Sequence, residues 1–363
     1  MKRLTRKSVE ELIPYPPGKP IEELERELGL NKGSIIKLAS NENPLGPSPK
    51  AIDAIKEKIH ELHRYPDGSG FYLKEKLSQK LGLPKNRIII GNGSNELIEL
   101  VIRTFLLPEE EAIQPFPTFL VYEKIVKGAG GKIVSVPLKK FKIDLDAILK
   151  KINSNTKIIF INNPNNPTGQ AINKTEMKNF LISIPKDVIV VIDEAYIEFS
   201  LDANIAKGIE LIDVHPLIFV IRTFSKLYGL AGLRIGYGFG SKILIDYMER
   251  VRQPFNVNIL AQAGAIAALE DKEFILDTIN TIEEGKKYLY QQLDIIGLEY
   301  IPSTTNFFLI KFPCNANRIY EKLLKNGIIV RYMQSYGLSE YIRISVGLMQ
   351  ENMKFISTLK DIL

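Results

Sequence analysis

The segment KDVIVVIDEAYIEF (186–199) decides the fold of this chain. Its residues 188–192 form a continuous apolar run that is followed by Asp193 and Glu194, without the alternation that marks a strand with one solvated face. Such a run is typical of a strand that is buried on both faces, as in a parallel sheet with helices on each side. The segment therefore predicts an α/β domain around a mostly parallel central sheet.

Segments on both sides of this strand extend the same pattern. Apolar runs that end in glycine, asparagine or proline turns alternate with stretches of helical periodicity. The further predicted strands lie in NRIIIGNG (86–93), EEAIQPFP (110–117), GKIVSVPL (131–138), KIIFI (157–161), PLIFVI (216–221) and LRIGYGFG (233–240). Regular alternation of this kind predicts strands joined by crossover helices.

Changes in the sequence pattern predict three regions along the chain. Four prolines between positions 14 and 20 disfavour a helix at the start, so residues 1–35 are predicted to form an N-terminal arm with one short helix. The main α/β domain is predicted to span 36–245. From 246–363 a long helical stretch gives way to helices mixed with short strands, which predicts a smaller α+β domain.

Composition and charge exclude several classes of function. The 363 residues are 45% hydrophobic and 25% charged, which is ordinary globular composition. The net charge is +6, but the basic residues are scattered among glutamates, so we predict no nucleic-acid partner. The N-terminus lacks a signal-peptide apolar region and no run of about 18 apolar residues occurs, so we expect no membrane span and a cytoplasmic location. The single cysteine, Cys314, excludes an intramolecular disulfide, and no metal-ligand pattern is present.

Four predicted strands are followed by segments whose side chains or backbone amides can bind a ligand or take part in catalysis. In doubly wound sheets, ligands bind at the carboxyl ends of the strands. The four segments are GNGSNE (91–96), NNPNNPTG (162–169), DEAY (193–196) and RTFSK (222–226). Taken singly, each has an ordinary explanation: a capped turn, a loop, a structural ion pair at Asp193 and a surface lysine at Lys226.

Taken together, the four segments favour one kind of cofactor site. A lysine that forms a Schiff base needs a carbonyl cofactor. If that cofactor is pyridoxal phosphate, its pyridine nitrogen needs an acid such as Asp193, and its phosphate needs backbone amides and a cation. A glycine-rich helix start suits the phosphate, and Arg234 offers a fork of donors for it.

At these residues the chain resembles the fold-type I pyridoxal-phosphate aminotransferases. The motifs NPNNPTG, DEAY and SK-x7-R occur in the order of that family, with Asp193 27 residues after Asn166, Lys226 33 residues after Asp193 and Arg234 8 residues after Lys226. Within it, the segments PYPPGKPIEELERELG, LASNENPLGPSP, RYPDGSG and TFSKLYGLAGLRIGYG are similar to signatures of the histidinol-phosphate aminotransferases. The resemblance runs from about residue 12 to about residue 350 of this sequence.

The resemblance implies a role for each residue around the cofactor ring. Lys226 would hold the cofactor covalently and, once released, move a proton between substrate and cofactor. Asp193 would pair with the protonated pyridine nitrogen. Asn166 and Tyr196 would hydrogen-bond the ring oxygen. Phe119, where relatives often have a tyrosine, would stack on the ring.

The resemblance also implies how the cofactor phosphate is held. The chain's own contacts to it would be Ser94, Asn95, Thr223, Ser225 and Arg234. Tyr65 is expected to reach the phosphate of the cofactor in the neighbouring subunit. This expectation implies a homodimer with shared active sites.

For the substrate, the resemblance implies an anion site. Arg343, in YIRISVG, matches the arginine that binds the anionic group, and Arg331 is the candidate for a second cation on a phosphate ester. Tyr15 could cover the substrate or pack within the arm, and Asn43 in the NENP segment is a further candidate for contact with the substrate.

The resemblance implies transfer of an amino group from glutamate to imidazole acetol phosphate in histidine biosynthesis. Two enzymatic alternatives share the scaffold: an aromatic amino-acid aminotransferase and a threonine-phosphate decarboxylase. A cofactor-binding regulatory module would need an added DNA-binding segment, which the predicted regions leave no room for.

Overall fold

The computed structural model describes residues 4–10, 12–14, 19–29, 33, 35–313 and 315–363. Tyr15 and Cys314, both singled out from the sequence, lie outside the described residues.

The described chain alternates strands and helices through its first two thirds. The strands are β1 (Ile36–Lys37), β2 (Ile88–Gly91), β3 (Glu111–Phe116), β4 (Lys132–Pro137), β5 (Thr156–Asn162), β6 (Ile189–Asp193), β7 (Ile218–Thr223), β8 (Gly236–Gly240), β9 (Tyr300–Ile301), β10 (Phe307–Lys311), β11 (Ile328–Ile329), β12 (Arg331–Tyr332) and β13 (Tyr341–Ser345). The helices are α1 (Lys7–Glu10), α2 (Ile21–Leu28), α3 (Pro49–Lys58), α4 (Phe71–Leu81), α5 (Ser94–Phe105), α6 (Val121–Ala129), α7 (Leu145–Leu149), α8 (Lys174–Ser183), α9 (Gly208–Leu211), α10 (Lys242–Val251), α11 (Ile259–Glu270), α12 (Lys272–Ile296), α13 (Asn317–Lys325) and α14 (Met349–Ile362).

The main sheet has seven strands in the order β2-β8-β7-β6-β5-β3-β4. Strands β3 to β7 run parallel to one another, and β8 is antiparallel to both of its neighbours. This arrangement confirms the predicted α/β fold with a mostly parallel central sheet. The segment 186–199 supplies β6, which lies between β5 and β7 with every residue buried.

Strand β6 is covered on both faces, as its apolar run predicts. Ile189 and Val191 belong to one buried cluster, which includes residues of α5 and α10. Val190 and Ile192 belong to a second cluster, which includes residues of α8. Successive side chains of a strand point to opposite faces, so the sheet is packed between two apolar layers.

The C-terminal third carries a smaller antiparallel sheet in the order β12-β13-β10-β9. The long helical stretch predicted from residue 246 is in fact three helices, α10 to α12. The predicted boundary at 245/246 falls inside α10, whose Leu244, Ile245 and Met248 pack in a cluster of the main sheet. The division into domains itself stays a prediction.

The N-terminal segment is tied to the C-terminal third. Strand β1 pairs in parallel with β11, and Leu24 of the predicted short helix packs with Ile35 and Ile329. The chain therefore enters residues 38–43 directly from its pairing with the C-terminal third. None of the helices in the described residues has the length and apolar character needed to cross a bilayer.

Candidate active site

A cavity of about 420 Å³ opens where β5, β6 and β7 end. Residues from each of the four segments chosen from the sequence line it. The predicted site residues that it brings together are Ser94, Asn95, Phe119, Asn166, Asp193, Tyr196, Thr223, Ser225, Lys226 and Arg234. Parallel strands place their carboxyl ends at one edge of the sheet, and this is why residues so far apart in sequence meet here.

Asp193 is buried at the end of β6. The hydroxyl of Tyr122 donates a 2.6 Å hydrogen bond to its Oδ2, and the amide of Ala195 donates a 3.1 Å hydrogen bond to its Oδ1. Burial raises the pKa of Asp193 to about 6, and the Tyr122 hydroxyl opposes that rise. The carboxyl therefore has the hydrogen bonds needed to stay charged and to face a cationic partner in the cavity.

Lys226 follows the end of β7 and places its amine in the cavity. Nζ donates a 2.9 Å hydrogen bond to the carbonyl of Ser40 and lies 5.6 Å from the centroid of the Tyr196 ring. Burial lowers the pKa of Lys226 to about 8, and the positive charge of Arg343 adds to that effect. A neutral fraction of the amine near neutral pH makes it suited to nucleophilic and proton-transfer chemistry.

An anion cradle is built at the start of α5. Gly93 has φ 76°, and a Cβ placed on it would lie 2.4 Å from Nη2 of Arg234. A Cβ on Gly236 would likewise lie 2.7 Å from the backbone nitrogen of Ser94. Arg234 itself has a left-handed φ of 55°, a strained conformation that tends to persist at functional sites. The helix start and the guanidinium place two positive ends together, which suits a phosphate.

A buried network joins Tyr196 to the predicted substrate arginine. Asn166 donates a 3.4 Å hydrogen bond to the Tyr196 hydroxyl and accepts one of 2.6 Å from Nη1 of Arg343. Nη2 of Arg343 donates to the carbonyl of Ala39 at 2.8 Å. Within the described part of the chain, Nε of Arg343 is buried and has no hydrogen-bond partner. This unpaired donor fits an anionic ligand.

Arg331 lies directly opposite Arg343 in the β12–β13 pair. Residues opposite each other on antiparallel strands share a face of the sheet, with Cβ atoms about 5 Å apart. The predicted second cation is thus placed next to the first.

Four predicted residues of the described chain are not among those that line this cavity, namely Arg343, Arg331, Tyr65 and Asn43. Tyr65 is 82% exposed and stacks on Phe255, with ring centroids 4.8 Å apart. The Asn43 amide donates to the carbonyl of Leu227 at 2.8 Å and to Thr278 at 3.1 Å, so Asn43 holds its own loop and does not line the cavity. Tyr15 is outside the described residues.

Sequence reasoning missed several residues of the site. Tyr122 is on the buried face of the amphipathic helix α6 and stacks on Phe160, and such a tyrosine is ordinarily interpreted as core. Asn41 donates to Tyr196, and Ser40 and Glu42 line the cavity. The NENP segment was the one available signal for these residues, but it pointed to Asn43.

The arrangement fits pyridoxal phosphate by the chemistry of its donors. A buried carboxylate, an amine with a lowered pKa, an aromatic face at Phe119 and a cationic helix start surround one space. These are the groups that the pyridine nitrogen, the aldehyde, the ring and the phosphate of this cofactor require.

Comparison with known proteins agrees with this chemistry. The model of the family described as "Aminotransferase class I and II" matches residues 33–357. Histidinol-phosphate aminotransferase 2 of Carboxydothermus hydrogenoformans is 45% identical over 99% of each chain. Histidinol-phosphate aminotransferase 1 of Nitrosococcus oceani is 46% identical over 99% of this chain and 97% of its own.

The fold has a solved counterpart of the same name. The crystal structure of histidinol-phosphate aminotransferase from Sinorhizobium meliloti in complex with pyridoxal-5'-phosphate matches with a TM-score of 0.91. That match covers 100% of this chain and 98% of the other, at 27% identity.

Proposed function

The chain belongs to the class I and II aminotransferases and, within them, to the histidinol-phosphate aminotransferases; on this premise we propose that it exchanges an amino group between L-histidinol phosphate and 2-oxoglutarate in L-histidine biosynthesis. The observation that carries the proposal is the pair Arg331 and Arg343. The two arginines are opposite each other in the β12–β13 pair, and Arg343 donates to Asn166, which lines the cavity that contains Lys226.

The cofactor is pyridoxal phosphate, which supplies the electron sink for amino transfer. We propose that Lys226 holds it covalently and that the freed amine then moves the proton at the substrate carbon that carries nitrogen. The pKa of about 8 lets that amine both accept and return a proton near neutral pH. Asp193 would hold the proton on the pyridine nitrogen.

The remaining cavity residues would fix the cofactor in place. Arg234 and the α5 start would bind the phosphate with the Thr223 and Ser225 hydroxyls. Phe119 would stack on the ring, and the hydroxyl of Tyr196 would hydrogen-bond the ring oxygen. Restraint of both the phosphate and the ring keeps the reacting carbon in a fixed position relative to Lys226.

The same arginines would bind the anionic groups of both substrates in turn. A carboxylate such as that of glutamate needs one forked partner, and Arg343 can provide it. A phosphate ester carries up to two negative charges, and a second guanidinium at Arg331 compensates the extra charge. This difference favours a phosphorylated substrate over an aromatic amino acid.

We also propose a homodimer with shared sites. Exposed apolar side chains concentrate between residues 45 and 72, and Tyr65 and Phe255 form a stacked pair on that surface. An exposed aromatic pair of this kind is typical of an interface. Since its substrates include glutamate and 2-oxoglutarate, we propose that the enzyme works in the cytoplasm.

The test of the proposed function compares amino donors. Purified enzyme would be supplied with histidinol phosphate, phenylalanine or threonine phosphate, each with 2-oxoglutarate as acceptor, and kcat/KM for glutamate formation measured. We expect histidinol phosphate to be the best donor. A higher kcat/KM for phenylalanine would instead establish an aromatic aminotransferase, and release of carbon dioxide from threonine phosphate would establish a decarboxylase.

A further inference from the structure

Asn41 is a buried residue between Ser40 and Glu42, two residues that line the cavity, and no role has been assigned to it. It is 1% exposed and has a left-handed φ of 53°, a conformation that asparagine tolerates better than most residues. Its backbone amide donates to Oγ of Ser345 at 2.8 Å, and its carbonyl accepts from Asn306 at 3.1 Å. Both the backbone amide and the carbonyl of Asn41 are therefore held by residues of the C-terminal third.

The side chain of Asn41 reaches across to the main sheet. Nδ2 donates a 3.0 Å hydrogen bond to the hydroxyl of Tyr196. Oδ1 accepts a 3.1 Å hydrogen bond from the hydroxyl of Ser345. The Ser345 hydroxyl thus accepts from the backbone amide of Asn41 and donates to its Oδ1, and this arrangement places the Nδ2 end of the Asn41 amide toward Tyr196.

The side-chain amide of Asn166 also faces the Tyr196 hydroxyl with its Nδ2 end. Its Oδ1 accepts from Arg343 at 2.6 Å, and an arginine can only donate. Its Nδ2 must therefore be the end that faces Tyr196, at 3.4 Å. Two amide groups thus donate to one phenolic oxygen, and both of its acceptor sites are used.

We propose that Asn41 is a positioning residue that directs the Tyr196 hydroxyl proton into the cavity, toward the ring oxygen of the cofactor. A phenol has one proton and two acceptor sites. With both acceptor sites filled from the wall, the proton points in the remaining direction. The inference rests on the cofactor role proposed for Tyr196 and does not depend on which substrate the enzyme uses.

The surroundings of Tyr196 are consistent with a neutral phenol. The charged groups that face it are Arg343, Asp193 and Lys226. Burial raises the pKa of Tyr196, and the donated hydrogen bond from Asn41 acts against that rise. A purely structural Asn41 would need no donor aimed at Tyr196, because Ser345 and Asn306 already hold it.

The test uses the visible absorbance of the bound cofactor as a function of pH. A donor to the ring oxygen favours its charged form and so lowers the pH midpoint of the absorbance change. Tyr196→Phe removes the donor and should raise the midpoint by about one pH unit. Asn41→Asp has the same shape but only accepts, so it draws the Tyr196 proton away from the cavity and should raise the midpoint similarly.

The double variant separates positioning from the added charge. In the Tyr196→Phe background, the rise in the midpoint caused by Asn41→Asp should be at most half of the rise that it causes in the native background, because the two changes act through one hydroxyl. Equal shifts in both backgrounds, or no shift from Asn41→Asp alone, would overturn the proposal. No shift from Tyr196→Phe would remove the cofactor role of Tyr196 itself.

A second variant covers the case in which Asn41→Asp does not fold. Ser345→Ala removes the hydroxyl that fixes the Asn41 amide, and we expect a smaller shift of the midpoint in the same direction. Thermal unfolding of each variant reports its stability separately. A Ser345→Ala variant with reduced stability and an unchanged midpoint would mean that Asn41 only packs the wall, and this would contradict the proposal.

Discussion

The hydroxyl of Tyr122, on α6, donates a 2.6 Å hydrogen bond to Oδ2 of Asp193, at the end of β6. Burial raises the pKa of Asp193 to about 6, and this one hydrogen bond is the largest influence in the other direction. The charge of the acid that would face the pyridine nitrogen therefore depends on a helix that lies outside the motifs recognised in the sequence.

Tyr122→Phe should make cofactor binding more sensitive to acid. Without the donated hydrogen bond the pKa of Asp193 rises further, so the carboxylate becomes protonated at a higher pH as the solution is acidified. A hydrogen bond to a charged group contributes about 1.5–3 kcal/mol, which corresponds to a shift on the order of one pH unit. The measurement is cofactor affinity of the apoprotein from pH 5 to 8. Tyr290→Phe, which removes a hydroxyl bonded to Ser303 outside the cavity, is the control. An affinity profile identical to wild type would contradict the expectation.

Gly93→Ala should weaken cofactor binding through the phosphate. The added methyl would lie 2.4 Å from Nη2 of Arg234 and displace the guanidinium from the α5 start. We expect at least a tenfold loss of affinity, since about 1.4 kcal/mol corresponds to a factor of ten. Gly82→Ala is a matched control, because Gly82 also has a positive φ, of 66°, but nothing lies within 4 Å of the added methyl. The two variants should lose similar stability from backbone strain. A comparable loss of affinity in both would show that strain alone is responsible.

Lys226→Met should alter the pH dependence of apoprotein stability. Burial lowers the pKa of Lys226 from 10.5 to about 8 in the folded state, so the charged amine is disfavoured by folding. The resulting cost is fully present below pH 8, where the amine is charged in both states, and disappears as the pH rises toward 10.5. The methionine variant should therefore gain up to about 3 kcal/mol relative to wild type at pH 7, and this gain should shrink above pH 8.

Urea denaturation of the apoproteins between pH 7 and 10 measures this difference. Lys178→Met, on the exposed side of α8, controls for the loss of one positive charge. A gain in the Lys226 variant that did not change with pH would argue against a desolvated amine.

Borohydride treatment of the cofactor-bound enzyme should attach the cofactor covalently to the wild type but not to the Lys226 variant.

Arg331→Gln should lower kcat/KM for histidinol phosphate much more than kcat/KM for glutamate. The side chain lies opposite Arg343 and would contact the second charge of a phosphate ester. Loss of a charge-assisted hydrogen bond of about 1.5–3 kcal/mol lowers kcat/KM for histidinol phosphate roughly 10- to 100-fold. The value for glutamate should change much less, because Arg343 alone can hold a carboxylate. Arg318→Gln, on the exposed side of α13, provides the charge-matched control. Equal losses for both substrates would mean that Arg331 supports the fold of the site and does not recognise phosphate.

Tyr65 gives a test of shared active sites. In a mixture of Tyr65→Ala and Lys226→Ala chains, each hybrid dimer contains a site with an intact lysine and a Tyr65 from the partner. Activity should therefore exceed that of either variant alone if Tyr65 serves the neighbouring cofactor. If Tyr65 acts within its own chain, or the protein is a monomer of 41.1 kDa, mixing restores nothing.

Much of the fold and the cofactor side of the site follow from local sequence. The uninterrupted apolar run before Asp193 predicts a strand buried on both faces, and β6 is such a strand. Because parallel strands end at one edge, the residues after β5, β6 and β7 could be expected to meet, and Asn166, Asp193 and Lys226 line one cavity. The family and the cofactor followed from the same residues.

Other features could not be read from local patterns. The predicted long helical stretch is interrupted between α10 and α11, and α10 packs with a cluster of the main sheet. Asn43 stood out by its motif, but its amide is used to hold Leu227 and Thr278. Its neighbour Asn41 is the residue that reaches the site.

The sequence by itself determined which strand ends carry the acid, the lysine and the glycine turn proposed to hold the phosphate, because strand burial and turn chemistry are encoded within a few residues. Only the tertiary structure decided which partners set their charge and direction. Tyr122 is 71 positions from Asp193 along the chain, and Asn41 is 155 positions from Tyr196. Hydrogen bonds of this kind depend on how helices and sheets pack, and no local pattern of residues specifies them.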